Sequence, residues 1–215
     1  VSRFTVVASC LSPMLLALAA CSSSGEFDDT GGIKIVRSAC PAVAIPAQTG
    51  DVTMFDPPAS REARAIDVVA TITDLRATCT DSGDNIVSNA TFAVQARRNA
   101  AGPARDVTIP YFATVVRGGT AVVSKQVSRV AVHFDQGALR ASSTGAATAT
   151  ISRAAATVPA DVLAKITRKR KPTDADASID PMADPVVRAA VQKSSFELLV
   201  GFQLTEDQLA YNATR

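Results

Sequence analysis

The chain has 215 residues, with no tryptophan, two tyrosines and a single histidine, and aromatic residues make up only 5% of it. One histidine leaves a serine-type triad a single possible base, and no Gly-x-Ser-x-Gly elbow accompanies it. No Walker or dinucleotide glycine motif occurs. The net charge of +2 is too small to imply nucleic acid. His133 sits between Val132 and Phe134, so alternation puts it on the face opposite them, as a surface or cross-strand residue. A metal site would have to draw on scattered carboxylates. Asp81, Asp84 and Asn85 are the nearest approach to a Ca²⁺ turn, and such polar turns are mostly only turns. No catalytic residue, metal or cofactor is therefore expected. Internal repeats are also missing.

What is present begins with a leader. Arg3 gives a short positive start, and Val6 to Ala20 is mostly apolar, densest at Met14-Leu15-Leu16-Ala17-Leu18. This run is too short to span a bilayer as a helix and reads as a signal peptide over residues 1–20. It leads into Leu18-Ala19-Ala20-Cys21, which resembles the lipobox of bacterial lipoproteins. The resemblance implies that Cys21 is lipidated and becomes the first residue of the mature chain. Several acyl chains give stable anchoring where one does not. Ser22, rather than Asp, after the lipidated cysteine implies the outer membrane, with the domain on the periplasmic side. Ser22-Ser23-Ser24-Gly25 opens a flexible tether over 21–32.

Of the four cysteines, Cys10 is expected to leave with the leader and Cys21 is the proposed lipid site. Cys40 and Cys79 remain as one pair in an oxidising compartment, and they are expected to be bonded. Redox-active pairs favour closely spaced Cys-x-x-Cys, which this pair does not match.

Residues 33–215 read as one all-β domain. Ile33-Lys34-Ile35-Val36 is a possible first short strand, Cys40–Pro46 is extended, and residues 47–64 are turn-rich. Ile66, Val68, Ala70 and Ile72 then alternate, and the phase shifts near Asp74, which predicts a bulge. Asp81 to Asn85 reads as a hairpin turn, and Ile86 to Ala96 as the next strand. A strand over Val107–Val115 contains Pro110, which predicts an edge or a bulge. Ala121 to Phe134 is a long run with Val130, Val132 and Phe134 in phase. Ala146 to Val158 is weakly patterned. Phe196, Leu198, Val200, Phe202 and Leu204 alternate most cleanly, and their strand is expected at the centre of the core. The spacing predicts about seven strands in an immunoglobulin- or fibronectin-III-like β-sandwich, with a small β-barrel as the alternative. Thr205-Glu206-Asp207-Gln208 resembles a capping box and predicts a one-turn C-terminal helix, with Leu209 and Tyr211 folding back.

Residues 159–193 break the pattern. They hold four of the eleven prolines, the basic block Lys165, Arg168, Lys169, Arg170 and Lys171, and then Asp174, Asp176, Asp180 and Asp184. Short helices are expected at 161–167 and 186–191, within a mobile charged excursion that cannot supply a core. The basic block is a candidate anion site for phosphates, and the acids beside it argue for self-neutralisation.

Cys40-Pro41, Cys79, Ile109-Pro110-Tyr111-Phe112, Val132-His133-Phe134 and the terminal Gly201-Phe202-Gln203-Leu204-Thr205 segment together resemble a family of uncharacterised alphaproteobacterial envelope lipoproteins. The resemblance implies no activity. The expected function is a non-enzymatic accessory or interaction lipoprotein of the envelope, anchored in the membrane and contacting another envelope protein. The alternative is a binding module for an envelope glycan or lipid.

Overall fold

The computed structural model describes residues 39–214. The expected leader, Cys21, the tether and the short strand at 33–36 lie outside them. Among the described residues eight strands form two four-stranded sheets. They are β1 (Ala42–Ala44), β2 (Asp51–Phe55), β3 (Ile66–Ser82), β4 (Asn85–Arg98), β5 (Arg105–Arg117), β6 (Ala121–Phe134), β7 (Arg140–Ser152) and β8 (Phe196–Phe202). One sheet runs β1-β8-β5-β6 and the other β2-β3-β4-β7. The fold is the all-β sandwich that the alternation predicts. Among the described residues β6 pairs only with β5, and β7 only with β4, so the sheets do not close into a barrel.

The core is what period-2 patterning dictates. Val68, Ala70 and Ile72 of β3 and Ile86, Ala90, Phe92, Val94 and Ala96 of β4 face Ile109, Tyr111, Ala113 and Val115 of β5. Phe196, Leu198, Val200 and Phe202 of β8 complete it. With few aromatics, the rings that exist are placed with care for space. The Phe92 ring occupies the volume a side chain at Gly145 would need, which is why β7 carries glycine there. Phe92 packs edge-on against Tyr111 with centroids 5.1 Å apart. The Tyr111 hydroxyl donates across the sandwich to the Ala146 carbonyl at 2.7 Å, so the buried phenol is satisfied by the opposite sheet.

The bulge is where the phase shift placed it. The β3–β4 register slips between Thr73 and Arg76, and Asp74 has φ 55°. Pro110 lies not at a sheet edge but in β5, between β6 and β8. It is tolerated because β8 pairing begins only at Tyr111–Phe202, so no ladder donor is needed at Pro110. Its carbonyl still accepts from Gln203 N–H at 2.9 Å. Two strands were not legible as such. Val52 and Thr53 of β2, inside the turn-rich stretch, are buried against β3, and β7 begins at Arg140 rather than near Ala146.

The capping box forms in both directions: Gln208 N–H donates to Thr205 Oγ1 at 3.3 Å, and Thr205 N–H to Gln208 Oε1 at 3.0 Å. The helix it starts, α4 (Glu206–Thr214), has nine residues rather than one turn. It is held to β2 by Tyr211 packed edge-on against Phe55 and by Asn212, whose amide donates to the Gln48 and Asp51 carbonyls. These contacts fold Tyr211 back as expected and explain the extra length.

The segment between β7 and β8 corrects the sequence reading. The short helix α1 (Arg153–Ala156) follows β7, and α2 (Ala160–Thr167) and α3 (Pro185–Ser194) fall at the two expected positions. They carry a core of their own: Val162, Val187 and Val191 are buried, with Val158, Ile166, Met182 and Ala190 packed round them. Valines four residues apart on α3 face one side, a helical period short enough to be hidden by the flanking charge. Asp184 caps α3 through Val186 N–H, with Pro185 at its first position. Val187, 1% exposed, is the centre of this cluster. Val187→Ala is expected to lower the local opening free energy by about 1–2 kcal/mol. Limited proteolysis should then cleave faster near Arg168–Lys171 while the denaturant midpoint of the sandwich barely moves.

Cys40 and Cys79 are bonded, tying the start of β1 to the far half of β3 and so one sheet to the other. Cys79→Ala should cost about 2–4 kcal/mol, by releasing the unfolded chain from a loop closed across 39 positions. Thermal unfolding with and without reductant measures this. A reductant-insensitive melting curve for the native chain would contradict it.

Candidate functional site

Lys165, Arg168, Lys169, Arg170 and Lys171 lie at the end of α2 and in the turns after it. Two of the five are engaged by an acid of the same segment. Arg168 and Arg170 both turn onto the Asp176 carboxylate, Arg168 through a close ion pair and Arg170 at 3.5 Å. Desolvation pushes the Asp176 carboxyl up. The hydrogen bond and charge of Arg168, its own backbone N–H and the charge of Arg170 outweigh this and hold it below its ordinary value. Their contribution is therefore present above the ordinary carboxylate range and fades as pH falls through the lowered value. Asp174 accepts from Lys171 N–H at 3.0 Å, and Asp180 caps the 3-10 turn Pro181–Ala183 through Met182 N–H. Of the four aspartates only Asp176 pairs with side chains of the basic block; Asp174, Asp180 and Asp184 accept from backbone N–H groups.

The Asp81–Asn85 turn is occupied by an arginine. Arg153 forms an ion pair with Asp81, donates from Nε to the Gly83 carbonyl at 2.6 Å and from its backbone to the Asp84 carbonyl at 2.9 Å. Its guanidinium contacts one carboxylate and one carbonyl of this turn. His133 is exposed on β6, opposite Val132 and Phe134 as alternation requires. Its Nδ1 lies 2.8 Å from Asp106 and its Nε2 3.5 Å from Asp135.

Arg98 was missed by sequence reading. It ends the inward row of β4, two residues beyond Ala96, and is 4% exposed. Its guanidinium donates to four carbonyls: Ala138 at 2.5 Å, Pro103 at 2.8 Å, and Gly102 and Asp135 at 3.0 Å each. The Phe134 ring lies 5.4 Å beneath it. It clamps the β4–β5 and β6–β7 connections together. The signal for it was its phase: a charged residue in the position of the next core residue. Beside it Arg64, Asn99 and Arg105 line a shallow open cleft of about 440 Å³, where Arg105 is bound to Asp67 at 2.5 Å.

The most distinctive exposed feature is β6. Ala121 to Arg129 is exposed at every residue, on both faces of the strand. Val122 is 64% exposed, and Val123 and Val127 56% each. This stretch is bound on one side by β5, and among the described residues no strand pairs with the other. A register slip by one residue at Val123 is confined to its start. Lys125, Val127 and Arg129 share one face, opposite Thr114, Phe112 and Pro110 of β5. The Lys125 ammonium lies 5.2 Å above the Phe112 ring. Among the described residues neither Lys125 nor Arg129 has a carboxylate partner. The sequence signal was the adjacent pair Val122-Val123 and the lack of a buried phase before Val130.

No protein-family model, curated protein or solved structure matches this chain.

Proposed function

We propose that this protein is a non-enzymatic lipoprotein of the bacterial envelope. In this reading Cys21 carries the lipid, the anchor holds the domain at the periplasmic face of the outer membrane, and the β-sandwich docks on another envelope protein. One observation carries the docking role: an edge strand exposes nine consecutive residues, three of them valines, and among the described residues no strand pairs with its open side. Free N–H and C=O groups on such an edge template pairing with another chain, and soluble domains blunt them by cover, shortening, charge or bulges; β6 carries Lys125, Arg129 and a register slip at Val123 but leaves three valines exposed beside them. The position of Cys21 after an apolar leader supports the anchor.

Membrane fractionation with acyl labelling tests the anchor. Cys21→Ala should lose the label and leave the membrane fraction, and unchanged acylation would refute it. Affinity capture of the native lipoprotein tests the role. One stoichiometric envelope protein is the expected result. Recovery of lipid or glycan without protein would favour the binding-module reading instead. The cleft at Arg64, Asn99 and Arg105 gives that reading its polar groups, but its lining among the described residues has no aromatic ring to stack on a sugar.

A further inference from the structure

We propose that the open edge of β6 is a strand-addition site for an extended acidic segment of a partner protein, with the pattern acidic-x-apolar-x-acidic. This rests on the reading that the protein docks on another envelope protein, and it names the chemistry of the contact.

The edge sets the binding mode. A nine-residue exposed stretch that has, among the described residues, one side unpaired offers main-chain donors and acceptors in a row, and an added strand satisfies them. Side chains on alternate positions then give specificity. Lys125, Val127 and Arg129 share a face, so the residues opposite them on an added strand also share a face. A carboxylate, an apolar residue and a second carboxylate, two positions apart each, complement that row in either strand direction. The carboxylates would stand about 13 Å apart, matching the rise between Lys125 and Arg129. β6 itself carries no acidic residue, and the nearby Asp106 is held by His133.

A second copy of this chain fits less well in the registers that bring Lys125 opposite Lys125 or Arg129. Self-pairing about a two-fold at Val127 puts Lys125 of each copy directly opposite Arg129 of the other. Like charges in cross-strand register are destabilising, and a two-fold repeats the clash. Neutralising carboxylates on a different chain removes it.

The test uses the full-length chain and a blocked peptide Thr-Glu-Thr-Val-Thr-Glu-Thr, with a control in which lysine replaces both glutamates. Amide hydrogen exchange, read residue by residue, is expected to slow within 121–129 on adding the glutamate peptide and to stay unchanged with the lysine peptide. The double reversal Lys125→Glu/Arg129→Glu should weaken binding of the glutamate peptide about tenfold and admit the lysine peptide. The neutral pair Lys125→Gln/Arg129→Gln should weaken it by a smaller factor, and it serves where the reversed pair perturbs folding. No slowing at millimolar peptide, or equal slowing by both peptides, would overturn the proposal. Slowing without peptide that grows with protein concentration would assign the edge to a second copy. If the peptide adds at β6 but capture yields no envelope protein, the docking role fails and the edge site stands. If capture yields the same protein with the reversed-charge chain, the role stands and this site falls.

Discussion

Phe202→Ala is expected to destabilise the domain by about 3–5 kcal/mol, the range for removing a fully buried ring from a close-packed core. Phe202 is 1% exposed at the end of β8, directly across from Tyr111 on β5. Its own N–H donates to the Thr49 carbonyl at 2.7 Å, which brings the β1–β2 connection onto the end of the strand. The adjacent Gly201 has no room for a side chain, because Thr49 and Phe112 fill the space beside it. The Thr49 and Phe112 contacts pack the outer face of the strand, while the Phe202 ring itself fills the inner face among core residues of both sheets. Equilibrium denaturation reads the effect directly. A loss below about 1 kcal/mol would mean that the strand phase is wrong.

Arg98→Met should be nearly as damaging, at about 3–4 kcal/mol, although methionine keeps much of the side-chain volume. The loss comes from the polar end. Four carbonyls on two separate connections give up a charged donor at once, and each buried acceptor left without a partner costs on the order of 1–3 kcal/mol where water cannot replace it. Partial hydration of these surface-proximal loops reduces the sum. Arg98→Lys is the informative companion variant: it keeps the charge but has three donors on one nitrogen and cannot reach four carbonyls in a plane. It is expected to recover less than half of the loss in chemical denaturation. Full rescue by lysine would mean that charge over the Phe134 ring matters more than the guanidinium geometry.

Most of the core was legible because alternation is a local property. Val68, Ala70 and Ile72, Ile86 through Ala96, and Phe196 through Phe202 announce their inward faces within a few residues. The phase shift near Asp74 exposed the bulge in the same way, and the Thr205–Gln208 spacing exposed the start of α4. β2 escaped because five residues flanked by turns carry too short a period to read. Val162, Val187 and Val191 escaped because they join across 20 or more residues of charged chain, and only packing brings α2 to α3.

The sequence by itself determined the all-β character, the inward face of most strands and the outward placement of His133, and it made Cys40–Cys79 the expected pair. The tertiary structure decided which strands neighbour which, and that is where the candidate site comes from. Whether the run at 121–129 lies buried mid-sheet or open at an edge depends on pairings made by residues far away in the chain. Here β8 pairs with the β5 edge remote from β6, and among the described residues no strand pairs with the other edge of β6. Pro110 shows the same limit: its place inside β5 is allowed only because β8 ends beside it. Hydrophobic period is written residue by residue, whereas a free edge is a property of the whole sheet.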